Sequence, residues 1–196
     1  MSSTPDNSNS TSKNDAYLTK VTVGNRKVHN APITLSEYDP RWPKLFEQEA
    51  RRIQSVLRNK ALQVGHVGST SVPELCAKPI IDILLVVTDS SDEESYISSL
   101  EEAGYTLHIR EPEWFEHRLF KGLDKDVNLH VFSKGASEID RMLQFRDRLR
   151  SNNTDRDEYA RVKHNLAQRK WRHVQDYADA KNSIVQEIME RANAVD

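Results

Sequence analysis

The sequence contains a single cysteine, Cys76, among its 196 residues. One thiol can form neither an internal disulfide nor a thiolate metal cluster, so a disulfide scaffold and a zinc finger are excluded. Long apolar runs are also missing, because the longest, from Ile80 to Val87, is interrupted by Asp82 and is far below the roughly 18 residues of a membrane span. The first residues have neither the charged nor the apolar region of a secretory signal. These absences predict a soluble, cytoplasmic protein.

An excess of charge of one sign is missing as well. The chain has 28 Lys and Arg residues against 30 Asp and Glu residues, which leaves a formal net charge of -2. The sequence therefore lacks the strong basic field that would indicate a nucleic-acid partner. Because 37% of the residues are hydrophobic, the composition is still that of a folded protein, and the length predicts one domain of ordinary size.

The N-terminal segment differs in composition from the rest of the chain. Ten of the first 14 residues are Ser, Thr or Asn. Such a segment buries too little apolar surface to offset its ordering entropy, so we expect disorder to about residue 16. Val21 and Val23 alternate and predict either an edge strand or a segment that drapes over the surface. We therefore expect residues 1–31 to be a disordered or loosely attached tail and residues 32–196 to form the domain.

Apolar periodicity predicts the first elements of this domain. Asp39 and Pro40 are typical of a helix start, and apolar residues then recur every three or four positions, which predicts a helix from Trp42 to Leu57. Five short runs that follow have the composition of β-strands: residues 61–67, 79–87, 105–110, 117–120 and 127–132.

Helices are predicted between and after these strands. Residues 92–103 are polar on one side and predict a crossover helix that ends at Gly104. From Ser137 onward the pattern is helical throughout, with breaks expected near residues 152–153 and near Asp176. Strands followed by helices indicate an α+β fold, in which a mixed β-sheet is flanked by helices and followed by a C-terminal helical bundle.

The residues best suited to chemistry lie in one stretch. Residues 66–73 read HVGSTSVP, so a Gly-Ser-Thr-Ser turn follows directly after a predicted strand. Such a turn offers backbone N–H groups and three hydroxyls to an anion. Asp82 follows within the next strand, among isoleucines, where a carboxylate is costly to bury unless it is paired or binds a metal. This layout predicts a phosphate cradle beside a metal-binding carboxylate, as phosphoryl or nucleotidyl transfer requires.

The same stretch resembles the GrpB family, a branch of the nucleotidyltransferase superfamily. The resemblance rests on HVGSTSVPELCAKPIIDILLVV together with four further segments, YDPRWPKLFEQEARRI, NLHVF, LQFRDRLR and YARVKHNLA, which occur in the same order. It extends over residues 33–188, nearly the whole chain apart from the tail. It implies a nucleotidyltransferase-like fold, with a mixed sheet and a helical C-terminal part.

The resemblance also implies where this chain departs from the superfamily. The superfamily pattern is a Gly-Ser turn, two alternating acids on the next strand and a third acid on another strand. This chain has Gly68, Ser69 and Asp82, but Leu84 and His130 stand where the second and third acids are expected. Histidine is a poor ligand for Mg²⁺, so standard two-metal nucleotidyl transfer is in question.

The metal chemistry consequently has three alternatives. Asp82, His130 and His117 are the candidate ligands. They bind one divalent ion (Mg²⁺ or Mn²⁺) weakly, or bind a softer ion such as zinc or iron through the histidines, or bind no metal.

The other candidates divide by role. Asp82, His130 and His66 are the candidate catalytic residues, because carboxylates and imidazoles are the usual acid–base groups. The candidate phosphate-binding residues offer backbone N–H groups, hydroxyls or positive charge: Gly68, Ser69, Thr70, Ser71, Lys78, Arg118, Arg146, Arg150 and Lys163. For Arg146 and Arg150, which lie on one predicted helix, the alternative is a solvent-exposed helix face with salt bridges, since acidic residues lie close to them in the sequence.

Three functions remain open on the sequence. The first is a nucleotidyltransferase-like enzyme that binds a nucleotide or another phosphate-bearing substrate at the Gly-Ser turn. The second is another group transfer on the same scaffold, such as aminoacyl transfer from a charged tRNA, with His66 or His130 as the base and the C-terminal arginines on tRNA phosphates. The third is a non-catalytic protein that binds a nucleotide or a protein partner.

Overall fold

The computed structural model describes residues 8–24, 29–123 and 126–194, with side chains from Asp15 onward. Within these ranges the chain forms one five-stranded sheet and seven α-helices. The strands are β1 (Gln63–Val67), β2 (Ile81–Val87), β3 (Thr106–Glu111), β4 (His117–Lys121) and β5 (Val127–Ser133). The helices are α1 (Ser8–Val21), α2 (Trp42–Leu57), α3 (Ile97–Glu102), α4 (Ser137–Ser151), α5 (Asn153–Ala167), α6 (Val174–Asp179) and α7 (Asn182–Asn193). None of the helices in the described ranges has the length and apolar character required to cross a membrane.

The sheet has the order β1-β2-β5-β4-β3 and is mixed. β2 and β5 pair in parallel, and the other neighbours pair antiparallel. The predicted α+β class and all five predicted strands are confirmed, with each strand end within two residues of its expected position. In the β2–β5 register Asp82 of β2 lies opposite Asn128 of β5, and His130 lies two residues after Asn128 on β5. The centre of the sheet therefore carries these three polar side chains on one face.

The two faces of the sheet are covered by different helices. On the first face Ile83 and Leu85 of β2 pack with Ile53 and Leu57 of α2 in a large apolar cluster. On the second face Leu84, Val86 and Phe132 pack with Ile139 of α4 in a smaller cluster. Because side chains alternate along a strand, Asp82 shares this second face with Leu84 and Val86.

The C-terminal helices pack on the segment that follows the Gly-Ser turn. Val72 and Leu75 are buried against residues of α4, α5 and α7. The predicted break at residues 152–153 is confirmed, and the Asn152 side chain caps α5 by accepting a hydrogen bond from the Asp155 backbone N–H at 2.9 Å. The second break was predicted near Asp176 and instead lies on either side of α6. Asp176 itself is in the first turn of α6, where its carboxylate accepts from the His173 backbone N–H at 2.9 Å.

The N-terminal segment differs from the expected tail over the part that the structure describes. α1 places Leu18 and Val21, three residues apart, against the body of the domain, where both are buried. Beyond it the Val23 N–H donates to the His108 carbonyl at 2.8 Å, at the edge of the sheet where a strand was one alternative. Polar residues dominate the composition of this segment, so composition alone does not predict that Leu18 and Val21 are buried. Residues 1–7 and 25–28, which also belong to the expected tail, lie outside the described residues.

Candidate functional site

A cleft of about 1190 Å³ opens on the second face of the sheet, between the strands and the α5–α7 region. The Gly-Ser turn forms one side, and the central strands form the floor. Its polar lining includes Gly68, Ser69, Thr70, Lys78, Asp82, Lys121, Asn128, His130, Tyr159, Lys163, Tyr177 and Lys181. The cleft therefore brings together the turn, the strand carboxylate and part of the predicted basic set.

The Gly-Ser turn is held tightly against β2. Gly68 has a positive φ of 70°, and a Cβ atom at this position would collide with the Asp82 carboxylate, so only glycine allows the close approach. The Ser71 hydroxyl donates to the Gly68 carbonyl at 2.6 Å, and the Thr70 hydroxyl donates to the Ile80 carbonyl at 3.1 Å. Two of the three predicted hydroxyls thus stabilise the turn, and the Ser69 hydroxyl is left for the cleft.

Asp82 lies at the centre of a polar group on the strands. The Asn128 side-chain amide donates to Asp82 Oδ1 at 2.7 Å, and Lys121 donates in turn to the Asn128 carbonyl oxygen. His130 Nε2 lies 3.7 Å from the same Oδ1 atom, which is too long for a hydrogen bond. Burial raises the pKa of the Asp82 carboxyl, but His130, Asn128 and Lys78 together outweigh it and hold this pKa below its usual value. Asp82 is therefore an ionised carboxylate at neutral pH.

Four lysines among the described residues line the cleft. Burial lowers the pKa of Lys163 to about 8, and it lowers the pKa values of Lys78 and Lys121 as well. The pKa of Lys181 falls to about 7, chiefly through burial and further through repulsion from Lys78 and Lys163. Repulsion from Lys78 also contributes to the lowered pKa of Lys121, so Lys78 lies near both Lys121 and Lys181.

Two tyrosine rings make cation–π contacts with lysine ammonium groups of the cleft. Lys181 Nζ lies 4.0 Å and Lys78 Nζ 5.8 Å from the centre of the Tyr177 ring, and Lys163 Nζ lies 5.0 Å from the centre of the Tyr159 ring. Lys163 also donates to Ser69 Oγ at 3.1 Å. The Tyr177 hydroxyl is buried and has no hydrogen-bond partner among the residues that the structure describes. It is a donor that a bound molecule could satisfy.

The predicted arginines lie outside the cleft. Arg146 donates to the His66 carbonyl at 3.1 Å, and Arg150 donates twice to the Ser71 carbonyl, at 3.0 and 2.8 Å. These two arginines therefore hydrogen-bond to the backbone on both sides of the Gly-Ser turn. Arg118 belongs to the first face of the sheet, where it is 5% exposed and donates to Glu93 at 2.6 Å.

The three candidate histidines occupy different environments. His66 stacks on Phe46 of α2 with ring centres 4.7 Å apart, and burial lowers its pKa to about 4. This contact places the His66 ring on the face opposite Asp82. His117 uses both ring nitrogens within the protein, one towards Glu111 at 2.6 Å and one towards His130 at 3.1 Å. His130 is the candidate whose ring reaches the cleft.

The donor set does not suit a resident metal ion. Asp82 Oδ1 already accepts from Asn128, and the neighbouring ammonium groups of Lys78 and Lys121 repel a cation. Among the described residues, no three His, Cys, Asp or Glu side chains are arranged to hold a metal. Metal binding by Asp82, His130 and His117 therefore remains a prediction.

Sequence reasoning missed several residues of the cleft, namely Lys121, Asn128, Tyr177 and Lys181. Asn128 could have been found, because it lies two residues before His130 on a predicted strand and must share its face. Tyr177 and Lys181 lie four residues apart at the end of α6, and Lys121 ends β4, so no local pattern in the sequence joins this pair to Lys121 or to the Gly-Ser turn.

Comparison with known proteins places the chain in a family. A family model described as "GrpB protein" matches residues 32–191. The UPF0157 protein BH1888 of Halalkalibacterium halodurans is 75% identical over 189 residues, which cover 96% of this chain and 97% of that protein. The UPF0157 protein SCO7215 of Streptomyces coelicolor is 43% identical over 162 residues, which cover 83% of this chain and 85% of that protein.

A solved structure agrees with these matches. The crystal structure of conserved protein GrpB from Enterococcus faecalis is similar to this chain with a TM-score of 0.70 and 33% identity, and the match covers 81% of this chain and 96% of that chain. The predicted family is thereby confirmed, with boundaries close to the expected ones. The chain belongs to the GrpB family.

Proposed function

We propose that this protein binds a nucleotide or another phosphate-bearing substrate in the cleft and transfers a group from it, as a nucleotidyltransferase-like enzyme. The phosphate oxygens lie on the Ser69 hydroxyl and the ammonium groups of Lys163, Lys181 and Lys78. The group to be transferred lies at the other end, beside Asp82 and His130. The presence of four lysines in the lining of one cleft, with Lys163 buried and the other three half-buried, is the observation that carries this proposal.

Charge balance in the cleft supports an anionic ligand. Four lysines line the cleft, and the aspartates that line it in the described part of the chain are Asp82 and Asp126. Buried ammonium groups without matching carboxylates are costly, and a bound phosphate compensates them. The lowered pKa values of Lys163 and Lys181 are the sign of this missing compensation.

The same lysines suit the chemistry of phosphoryl or nucleotidyl transfer. Negative charge develops on the phosphate oxygens in the transition state, and fixed cations in a cleft stabilise it. Metal ions commonly supply this stabilisation, and in this proposal the lysine ammonium groups supply it instead. The cleft volume of about 1190 Å³ accommodates a nucleotide-sized molecule.

Aminoacyl transfer from a charged tRNA gains less support from the geometry. That function placed Arg146 and Arg150 on tRNA phosphates, but both donate to backbone carbonyls of the protein. It also offered His66 as a base, and the His66 ring lies on the other face of the sheet. A tRNA partner is therefore not part of the proposal.

Thermal unfolding with a panel of ligands tests the proposal. The panel contains ribonucleoside mono-, di- and triphosphates and inorganic tripolyphosphate, each with Mg²⁺, with Mn²⁺ and with a chelator. A ligand at a hundred times its Kd stabilises the protein by about 2.7 kcal/mol. We expect a phosphate-bearing ligand to raise Tm by several degrees, and we expect Lys181→Met to weaken its binding about tenfold through loss of one charge-assisted contact.

Lys44→Met is the matched control, because Lys44 is exposed on α2 and lies outside the cleft. It should retain the full stabilisation. The proposal fails if no member of the panel raises Tm, or if Lys44→Met and Lys181→Met lower the ligand-induced shift equally. Stabilisation by a nucleotide without turnover of any nucleotide in the panel would support the non-catalytic alternative instead.

A further inference from the structure

The cleft continues beyond Asp82 and His130 towards the β3 edge of the sheet. In the β4–β5 register Leu119 lies opposite His130, and in the β3–β4 register Ile109 lies opposite Leu119. Both Leu119 and Ile109 line the cleft. Neighbouring strands lie about 4.8 Å apart, so this row extends the floor by about 10 Å past His130. Along it the floor changes from polar at β5 to aliphatic at β4 and β3.

Two helices complete this end of the cleft. α1 packs on β3 and brings Leu18, which is 6% exposed, into the cleft lining. Val174, the first residue of α6, also lines the cleft. The start of α6 lies beside α1, because His173 Nε2 is 2.6 Å from Asp15 Oδ1. We call four residues the aliphatic end of the cleft: Leu18, Ile109, Leu119 and Val174.

Charge is sparse around the aliphatic end. Among the residues of α1, β3 and β4 that line the cleft in the described ranges, Lys121 is the one Lys, Arg, Asp or Glu, and it donates to the Asn128 side chain. The Thr22 hydroxyl, directly after α1, donates to the Leu18 carbonyl at 2.6 Å. Burial lowers the pKa of His108, so its ring is neutral at neutral pH. This end therefore offers a ligand apolar surface rather than charge.

The aromatic rings of the cleft lie at its other end. Tyr159 and Tyr177 are the Phe, Tyr or Trp residues that line the cleft in the described part of the chain, and both contact lysine ammonium groups. A flat base has its stacking partners there. The aliphatic end instead suits an alkyl group, which gains affinity by burying methylene groups.

The size of the cleft allows two molecules to bind together. Sites for one small ligand usually have volumes of about 300–1,000 Å³. The cleft has about 1190 Å³. A transferase needs both a donor and an acceptor, and the two ends of this cleft differ in chemistry as the two substrates would.

We infer that the aliphatic end binds the acceptor of the transferred group, and that this acceptor is an alcohol or amine with an aliphatic body. This inference rests on the proposed function and adds the class of its second substrate. Displacement at phosphorus is roughly in line, so the acceptor approaches from the side opposite the leaving phosphate. With the leaving phosphate on Lys163 and Lys181, that opposite side is the aliphatic end.

The transfer step is then balanced within the cleft. The acceptor oxygen or nitrogen bonds to the transferred phosphorus and releases its proton to water. The bond between this phosphorus and the leaving phosphate breaks, and its electron pair stays on the leaving oxygen, where the lysine ammonium groups stabilise it.

Titration with n-alkanols, followed at the methyl groups of the protein, tests this inference. The full chain carries isotope-labelled Leu and Ile methyl groups, and Ile109→Val and Leu119→Met assign two of the signals. The probes are n-butanol, n-hexanol and n-octanol. We expect the methyl signals of Ile109 and Leu119 to shift and saturate, with an affinity that rises about fourfold for each methylene buried at the aliphatic end.

Leu119→Asn places an amide in the aliphatic end, and we expect it to weaken n-hexanol binding about tenfold, whereas Leu119→Met should retain most of the affinity. Leu45→Asn is the matched control, because Leu45 is exposed on α2 and lies outside the cleft. It should bind n-hexanol as the wild-type protein does. An affinity that does not rise with chain length overturns the inference, and this wild-type result stands even if Leu119→Asn does not fold. An equal loss in Leu119→Asn and Leu45→Asn also overturns it.

A second titration separates this outcome from the test of the proposed function. Inorganic tripolyphosphate and n-hexanol should bind together, because they occupy different ends of the cleft. Displacement of n-hexanol by tripolyphosphate overturns the inference. Absence of phosphate binding overturns the proposed function and with it the acceptor role, whereas the n-hexanol titration fails only if the aliphatic end does not bind an alkyl group.

Discussion

The two faces of the sheet use the same strands for different purposes. Along β2, Ile83 and Leu85 are fully buried against α2, whereas Asp82 lines the cleft on the other face. On the first face even the charged residue Arg118 is neutralised by Glu93. On the second face four lysines line the cleft against two aspartates among the described residues, and burial lowers the pKa values of Lys163 and Lys181. Alternation along a strand thus lets one face supply stability while the other carries half-buried charges at an energetic cost, which a bound anion would offset under the proposed function.

The largest expected effect breaks the first face. Phe120→Ala removes a fully buried ring from the α2 side, and we expect it to lower the free energy of unfolding by about 3–5 kcal/mol. Leu119→Ala changes the neighbouring residue, whose side chain lines the cleft, and should cost less because one side of it already lacks packing partners. Urea unfolding of both variants measures the difference. An equal or larger loss in Leu119→Ala would contradict the contrast between the faces.

The second effect concerns the approach of the turn to β2. Gly68→Ala places a methyl group against the Asp82 carboxylate at a positive φ, and we expect a loss of about 1–3 kcal/mol together with loss of ligand-induced stabilisation. Gly135→Ala is the control, since Gly135 has a φ of 88° and nothing lies within 4 Å of its Cβ position. We expect Gly135→Ala to lower the free energy of unfolding through backbone strain and to leave ligand-induced stabilisation unchanged. Normal binding in Gly68→Ala would mean that the turn is not part of the site.

The third effect is a pH dependence with opposite signs for stability and binding. The pKa values of Lys181 and Lys163 in the folded protein are about 7 and about 8, below their unfolded value of about 10.5, so the unfolded chain binds more protons in this range. The free energy of unfolding should therefore rise from about pH 7 to about pH 10. Binding of a phosphate ligand should weaken over the same range, because the ammonium groups lose their charge.

Urea unfolding and ligand titration across this pH range measure the two slopes. Lys181→Met should flatten both, because methionine keeps most of the side-chain volume without the charge. A slope of stability that is unchanged in Lys181→Met would show that other groups cause it.

The smallest expected effect separates the arginines from the lysines. Arg150→Met removes two hydrogen bonds to the Ser71 carbonyl, and we expect it to lower the free energy of unfolding by about 1 kcal/mol and to weaken ligand binding only through a looser turn. Arg161→Met, at an exposed position on α5, should change neither quantity. Calorimetric titration compares the two variants. A larger loss of affinity in Arg150→Met than in Lys181→Met would place the arginine on the ligand.

The five strands and helix α2 were predictable because each one carries its own periodicity, whereas α1 and the limits of α6 were not. The strands around Asp82 and His130 and the amphipathic helix α2 could be read from apolar spacing alone. The approach of Gly68 to Asp82 was predicted for the same reason, since a turn and the next strand are neighbours both in sequence and in space.

The lysine cluster was not predictable in this way. Lys78 follows a turn, Lys121 is the last residue of β4, and Lys181 directly precedes α7. These three lysines come together only in the folded chain, where all of them line the cleft. The direction of a long side chain was equally hidden. Arg146 and Arg150 do lie near the Gly-Ser turn, as expected of phosphate ligands, but Arg146 donates to the His66 carbonyl and the Asp147 carboxylate, and Arg150 donates to the Ser71 carbonyl.

Helix α1 has a consequence for how the outline of the cleft can vary. Leu18 and Thr22 line the cleft, yet they precede residue 32, where the match to the family begins. The floor of the cleft, with Asp82 and His130, belongs to the matched region. A change in the N-terminal segment would therefore reshape one wall of the cleft and leave these floor residues unaltered.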